Sequence, residues 1–202
     1  MTKAKVPILI LAGGASTRMR GRDKLMEEIG GEPLLRLMAR RALTVSDSVY
    51  VALRPDKPER LQALSGLPVE MVLAQAALEG LSGSLREGVA ALPECPAFMV
   101  LLADTPAVGA TDMNAVLTAR DAHPKARIWR GATKDGKPGH PILFHSCLRP
   151  LFRRLQGDSG GEEIVKPLKD RTHLVRFEDD RARRDLDTPE DWVAWRRGTP
   201  PP

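Results

Sequence analysis

Residues 6–24 read VPILILAGGASTRMRGRDK, and this stretch decides the fold. Val6 to Leu11 is a short apolar run that passes into Ala12, Gly13 and Gly14. An apolar run bounded by glycines reads as a buried strand entering a loop. The loop continues with Ala15 and Ser16, then brings Arg18, Arg20, Arg22 and Lys24. Glycines let backbone N–H groups approach an anion closely, and Arg18 and Lys24 can supply full charges to phosphate oxygens. Spacing excludes two well-known phosphate motifs. A Walker A loop needs a second glycine five positions after the first, where this chain has Arg18 after Gly13 and Met19 after Gly14. The Gly-x-Gly-x-x-Gly dinucleotide fingerprint is also missing.

Working outward, the chain alternates strand and helix. PLLRLMARRALT reads as a helix with Pro33 at its start and Leu34, Leu35, Leu37, Met38 and Ala42 on one side. SVYVALR is a second strand, PERLQALSG a short helix ending at Gly66, and VEMVLA a third strand. GLSGSLREGVAAL becomes a helix from about Ser82. AFMVLLADTP is almost wholly apolar, which predicts a central strand covered on both faces. GATDMNAVLTARD then reads as a helix capped by a Thr or Asp. This order implies one α/β domain over residues 1–197, with a mainly parallel sheet, right-handed crossovers and flanking helices. After residue 125, ARIWRG, HPILFH and HLVRFE predict a small mixed or antiparallel extension. Helices are expected across CLRPLFRRLQ and GGEEIVKPLKD, and TPEDWVAWRR closes the chain with Thr188 as cap and Pro189 at the first position. Residues 198–202 read as an unstructured tail.

Composition narrows the function. Across 202 residues, 42% are hydrophobic and 28% charged, an ordinary globular balance that argues against wholesale disorder. No apolar run is long enough to cross a bilayer and no secretory signal is legible, so no membrane partner is expected. Cys95 and Cys147 fit no metal or redox spacing, which points to a reducing, cytoplasmic setting. The net charge of +5 favours anionic partners. With only 4% aromatics and no zinc finger, basic zipper or RNA-binding strand motif, that partner is a small anion rather than nucleic acid.

Two further segments belong with the loop. In open parallel sheets, ligands sit beyond the carboxyl ends of the strands. Asp104, in LLADTP, ends the most apolar strand and so faces the same crevice. A carboxylate there can hold Mg²⁺, which prefers one or two carboxylates plus substrate phosphates, or it can cap the following turn. In DLDTPED, Asp185 and Asp187 are two apart, so an extended segment turns both to one side. Such a pair needs a cation, either a metal or the nearby Arg183 and Arg184. Asp187 is also placed to precede a helix cap.

The motifs LAGGASTRM…RGRDK, LLADTP and DLDTPED resemble those of the MobA-like nucleotidyltransferases, as do EGLSGSLREGVAAL, GHPILF and GDSGGEEIV. The resemblance implies a single-domain Rossmann-like nucleotidyltransferase fold that transfers NMP from NTP to the phosphate of molybdopterin and releases pyrophosphate, with Mg²⁺. It implies that Leu11, Ala12, Gly13, Gly14, Ala15, Ser16, Arg18, Lys24, Arg54, Gly80, Ser82 and Ser84 bind nucleotide. Arg18, Lys24 and Asp104 are the expected catalytic groups, and Asp104, Asp185 and Asp187 the expected metal ligands. Gly139, His140 and Pro141 match a loop on the acceptor side. Arg20 stands where the family often has a second glycine, so the loop is expected either to take another path or to gain a phosphate ligand. LAGG looks like the guanine-using members, whereas EGLSGSLREG, GHPILF and GDSGG look more like the cytidylyl branch, and CTP is slightly favoured over GTP. The chain is expected to act as a monomer or weak oligomer, with a molybdoenzyme chaperone as a further partner. Two alternatives stay open: nucleotidyl transfer to a sugar or alditol phosphate, and a non-catalytic nucleotide-binding module.

Overall fold

A computed structural model describes residues 6–157 and 160–198. The expected strand–helix alternation is present. Strand β1 (Ile8–Ala12) is followed by a small hairpin of β2 (Glu28–Ile29) and β3 (Glu32–Pro33) that sequence reading did not anticipate. Helix α1 (Leu34–Val45), β4 (Val49–Leu53), α2 (Pro58–Ala63), β5 (Glu70–Leu73), α3 (Leu81–Ala91), β6 (Ala97–Leu102) and α4 (Ala110–Ala122) then alternate. The later part holds β7 (Ile128–Ala132), β8 (Pro138–His145), α5 (Arg149–Phe152), α6 (Glu162–Val165), β9 (Thr172–Arg176) and α7 (Pro189–Arg196).

The seven-stranded sheet runs β5-β4-β1-β6-β8-β7-β9. β5, β4, β1 and β6 are mutually parallel; β8 is antiparallel to both β6 and β7, and β9 returns parallel to β7. The mixed extension is therefore real. β1 lies between β4 and β6, so the chain leaves it in one direction and returns on the other side, opening a crevice beyond the carboxyl ends of β1 and β6. β8 pairs Val100 with Ile142, and continuing that register sets His140 beside Leu102, at the mouth of the same crevice.

Both faces of the central strands are covered, as the apolar run in β6 predicts. On one side Ile8, Ile10, Met99 and Leu101 pack with Leu35 and Met38 of α1, Met113 of α4 and Trp192 of α7. On the other, Leu9, Leu11, Phe98 and Val100 pack with Leu85 and Val89 of α3 and Phe152 of α5. Successive residues of β1 and β6 thus alternate between two cores, the period-two signature of a buried strand.

Some local expectations change. The cap of α4 is Gly109, not Thr or Asp; Asp112 instead reaches back and accepts from the Gly109 N–H at 2.8 Å. The two late helices are single turns, 149–152 and 162–165, each continuous with 3-10 segments. Pro167 lies in the second segment and lacks the N–H a longer helix requires. Thr188 does cap α7, with Pro189 at its first position: Thr188 Oγ1 accepts from the Asp191 N–H, and the Asp191 carboxylate accepts from the Thr188 N–H in return. Residues 199–202 of the expected tail lie outside the described residues. No helix among the described residues is long and apolar enough to cross a membrane.

Candidate active site

The glycine loop is shaped from beneath by an arginine. Arg60 of α2 is fully buried. It donates to the carbonyls of Ala12 at 2.5 Å and Gly14 at 2.9 Å, to Ser16 Oγ at 3.3 Å, and through two nitrogens to Asp23 at 2.8 and 2.9 Å. In a trans peptide the N–H points opposite its carbonyl. With the Ala12 and Gly14 carbonyls turned toward Arg60, the N–H groups of Gly13 and Ala15 point away from it. Asp23 completes the brace: it accepts from Ser16 Oγ at 3.2 Å and from the Leu25 N–H at 3.0 Å. Burial pulls the Asp23 carboxyl up, but the Arg60 guanidinium outweighs it and holds it below the ordinary carboxylate range.

Gly13 is required by packing. A Cβ there would meet Ser84 Oγ at 2.1 Å and Ala77 Cβ at 3.2 Å, so the loop lies directly on the start of α3. Arg20 keeps the backbone path a glycine would take, with φ 53° and ψ 48°. Its guanidinium pairs with Glu190 at 2.6 Å across exposed surface.

Lys24 sits at the centre of the acidic residues. Its ammonium donates to Asp104 Oδ2 and to Asp187 Oδ1, both at 2.5 Å, and Arg18 pairs with the second oxygen of Asp187. Lys24 thus lies between Asp104 and Asp187, with Arg18 on Asp187, whereas Asp185 and Asp187, the pair expected to need a cation, share a hydrogen bond; Arg183 is engaged elsewhere, on the Pro138 carbonyl at 3.0 Å. Burial lowers the Lys24 pKa, yet Asp104 and Asp187 overcome this and raise it, so the lysine stays charged. Burial raises Asp187, and Lys24 and Arg18 bring it below its ordinary value. Asp185 shares a hydrogen bond with Asp187; although its side chain reaches solvent, crowding and that neighbouring carboxylate push it up to about 6.

Three buried side-chain polar atoms among the described residues lack a hydrogen-bond partner: Ser82 Oγ, Asp104 Oδ1 and Trp192 Nε1. Two of the three belong to expected ligand-binding positions. A buried acceptor left unmade is unfavourable, so Asp104 Oδ1 is an oxygen waiting for a donor or a cation. The oxygen-only donor set of Asp104, Asp185 and Asp187 fits Mg²⁺ in kind. Among the described residues no three acidic, His or Cys side chains are gathered at metal-binding geometry; Asp104 and Asp187 are bridged by the Lys24 ammonium.

A cavity of about 250 Å³ adjoins this cluster and includes Arg130, Gly139, His140, Glu162, Arg183 and Asp185 in its lining. Of the three residues expected on the acceptor side, Gly139 and His140 line this cavity and Pro141 does not. The His140–Pro141 peptide is cis. Burial, and then Arg130 and Arg183, lower the His140 pKa to about 3, so this imidazole is neutral at physiological pH. Of the remaining expected residues, Arg54 directly follows β4 and is engaged in a two-point pair with Asp56 at 2.7 and 2.8 Å. Gly80 (φ 123°) precedes α3, and Ser82 and Ser84 are buried in its first turns.

Sequence reading missed Arg60, Asp23 and Arg130. Nothing local marks Arg60: it stands in a short polar helix, 37 to 48 positions from the groups it binds. Arg130 in the apolar segment ARIWRG was the one available signal, since a charge inside a buried strand needs a partner.

A family model described as MobA-like NTP transferase domain matches residues 8–174. A "Probable molybdenum cofactor guanylyltransferase" from Synechococcus elongatus is 38% identical over 198 residues, covering 92% of this chain and 95% of that protein. A "Molybdenum cofactor guanylyltransferase" from Burkholderia vietnamiensis is 34% identical over 188 residues, covering 86% and 87%. Among solved structures, the Rv0371c homologue from Mycobacterium sp. strain JC1 superposes with a TM-score of 0.84 at 22% identity, covering 98% of each chain. A nucleotidyl transferase from Methanothermobacter gives 0.76 at 21%, covering 96% of each, so the fold is that of a nucleotidyltransferase.

Proposed function

Because the chain belongs to the MobA-like NTP transferase family, a family of nucleotidyltransferases, we propose that it transfers NMP from an NTP to the phosphate of molybdopterin and releases pyrophosphate. The observation that carries this reading is the junction of a braced glycine loop with Lys24 and the half-satisfied Asp104. The N–H groups of Gly13 and Ala15, turned away from Arg60, offer donors to a polyphosphate. Arg18 and Lys24 exchange their carboxylate partners for phosphate oxygens and oppose the charge that builds on departing pyrophosphate. The acceptor phosphate is already a nucleophile at neutral pH, so no activated Ser, Cys or His is needed, and catalysis is positioning with charge neutralisation. Asp104, with Asp187 and Asp185, would hold Mg²⁺, which supplies Lewis-acid neutralisation of phosphoryl oxygens when bound.

For the base, CTP is the primary reading, from the cytidylyl-like motifs around residues 79–88 and 139–144. The LAGG cue for guanine has a packing reason beside it, because a Cβ at Gly13 would press on the Ser84 hydroxyl. GTP is the second reading, favoured by relatives whose names are guanylyltransferases. The test is pyrophosphate release with each NTP, Mg²⁺ and molybdopterin. Turnover with CTP alone or GTP alone assigns the base; no turnover with molybdopterin while a sugar or alditol phosphate reacts would overturn the acceptor.

A further inference from the structure

The cavity beside the acidic cluster is lined by two guanidinium groups, Arg130 and Arg183, and by two carboxylates, Glu162 and Asp185. Arg130 comes from the buried strand β7 with a side chain only 5% exposed. Its Nε donates to the Gly139 carbonyl at 3.1 Å. Arg183 donates to the preceding carbonyl, Pro138, at 3.0 Å. Two guanidinium groups are thus hung from consecutive carbonyls at the start of β8. Gly139 makes this possible: a Cβ there would meet the Ala182 carbonyl at 2.1 Å, so the 181–183 turn lies directly over it and brings Arg183 to the rim.

The carboxylates that face these arginines are loosely held or sit at the far end of the cavity. The acidic neighbour of Arg130 is Glu162, at 3.8 Å and with its own side chain 54% exposed. Both guanidinium groups open onto one concavity, where an anion that displaces the exposed Glu162 carboxylate can take charge-assisted hydrogen bonds from them. His140 lines the same wall and adds a neutral hydrogen-bonding group, while Asp185 at the other end joins the cavity to the Lys24 cluster. The cavity is therefore suited to a dianion that must also approach the nucleotide loop.

We propose that Arg130 and Arg183 hold the phosphate monoester of the acceptor in this cavity, with one phosphate oxygen turned toward Asp185 and the nucleotide. This rests on the nucleotidyl-transfer reading above. In the step it serves, that oxygen forms a bond to the α-phosphorus, the bond from the α-phosphorus to the bridging oxygen breaks, and pyrophosphate leaves with the electron pair. The dianion brings no proton that has to be removed.

The experiment uses the full chain with its nucleotide loop filled by the non-hydrolysable α,β-methylene analogue of the preferred NTP. Inorganic phosphate is titrated calorimetrically into wild type, Arg183→Gln, Arg183→Lys and Arg130→Lys, each first shown to melt within a few degrees of wild type. Loss of a charge-assisted contact predicts about 10-fold weaker phosphate binding in Arg183→Gln, partial recovery in Arg183→Lys, and unchanged affinity for the analogue in all. Equal phosphate affinity across the set overturns the proposal, as does molybdopterin-dependent turnover whose acceptor KM is unmoved in Arg183→Gln. If phosphate binds as expected but molybdopterin supports no turnover, the arginine cavity stands and the acceptor named under Proposed function falls.

Discussion

Replacing Arg60 by methionine is the sharpest perturbation of the nucleotide loop, because it touches neither the crevice surface nor the acidic cluster. The variant keeps most of the side-chain volume but leaves Asp23 without its guanidinium and the Ala12 and Gly14 carbonyls without their shared donor. Arg60 is fully buried and the Asp23 side chain only 7% exposed, so water cannot fully take over. Breaking such a pair from one side costs about 3–5 kcal/mol. At about 2–4 °C per kcal/mol for a chain of this size, Tm should fall by about 6–20 °C. The paired variant Arg60→Met/Asp23→Asn removes the stranded charge and should recover much of that loss, leaving about 2 kcal/mol for the two carbonyls. Below its melting range, either variant should bind NTP about 10-fold more weakly, since the Gly13 and Ala15 N–H groups lose their fixed direction. Asp23 also sets the pH dependence. Its folded pKa is depressed, so its contribution is present above the unfolded value and lost as pH falls through the folded one. The stability gap between wild type and the paired variant should therefore narrow below about pH 4. Thermal melts and nucleotide titrations on wild type and the two variants test this. A single variant that melts within 2 °C of wild type, or a paired variant no better than the single one, refutes the brace.

Asp104→Asn should lower kcat by about 10²–10³, by analogy with a lost oxyanion donor, with little change in Tm, because Lys24 keeps Asp187; near wild-type turnover would remove Asp104 from the chemistry. Lys24→Met should raise the KM for NTP, and Mg²⁺ should raise its Tm more than that of wild type, since the ammonium no longer bridges the carboxylates; equal Mg²⁺ shifts would count against the acidic cluster as the metal site. Arg20→Gly should leave turnover intact and Tm within about 3 °C, relief of the left-handed backbone offsetting an exposed ion pair, whereas Arg20→Val should lower Tm. His140 has a folded pKa near 3 against about 6.5 unfolded. Between those values the unfolded chain binds the extra proton, so wild type should lose stability as pH falls below about 6.5, and His140→Gln should lose less in denaturant melts across that range.

The sequence by itself determined the strand–helix order, the central position of β6 and the family to which the chain belongs. These depend on local signals: apolar runs, glycine-bounded loops and residues close together in the chain. It also placed Asp104 at a strand end, because an apolar run followed by Asp-Thr-Pro has one plausible reading. It could not show that Lys24 lies between Asp104 and Asp187, since those contacts span 80 and 163 positions. Nor could it tell a structural reason for Gly13 from a preference for one base, because the Ser84 hydroxyl meets it only when α3 docks on the loop. Arg60 and Arg130 were read as ordinary helix and strand residues for the same reason. Whether an arginine is solvated, braces a loop or lines a cavity is decided by what distant segments bring against it, and only the folded sheet sets those distances.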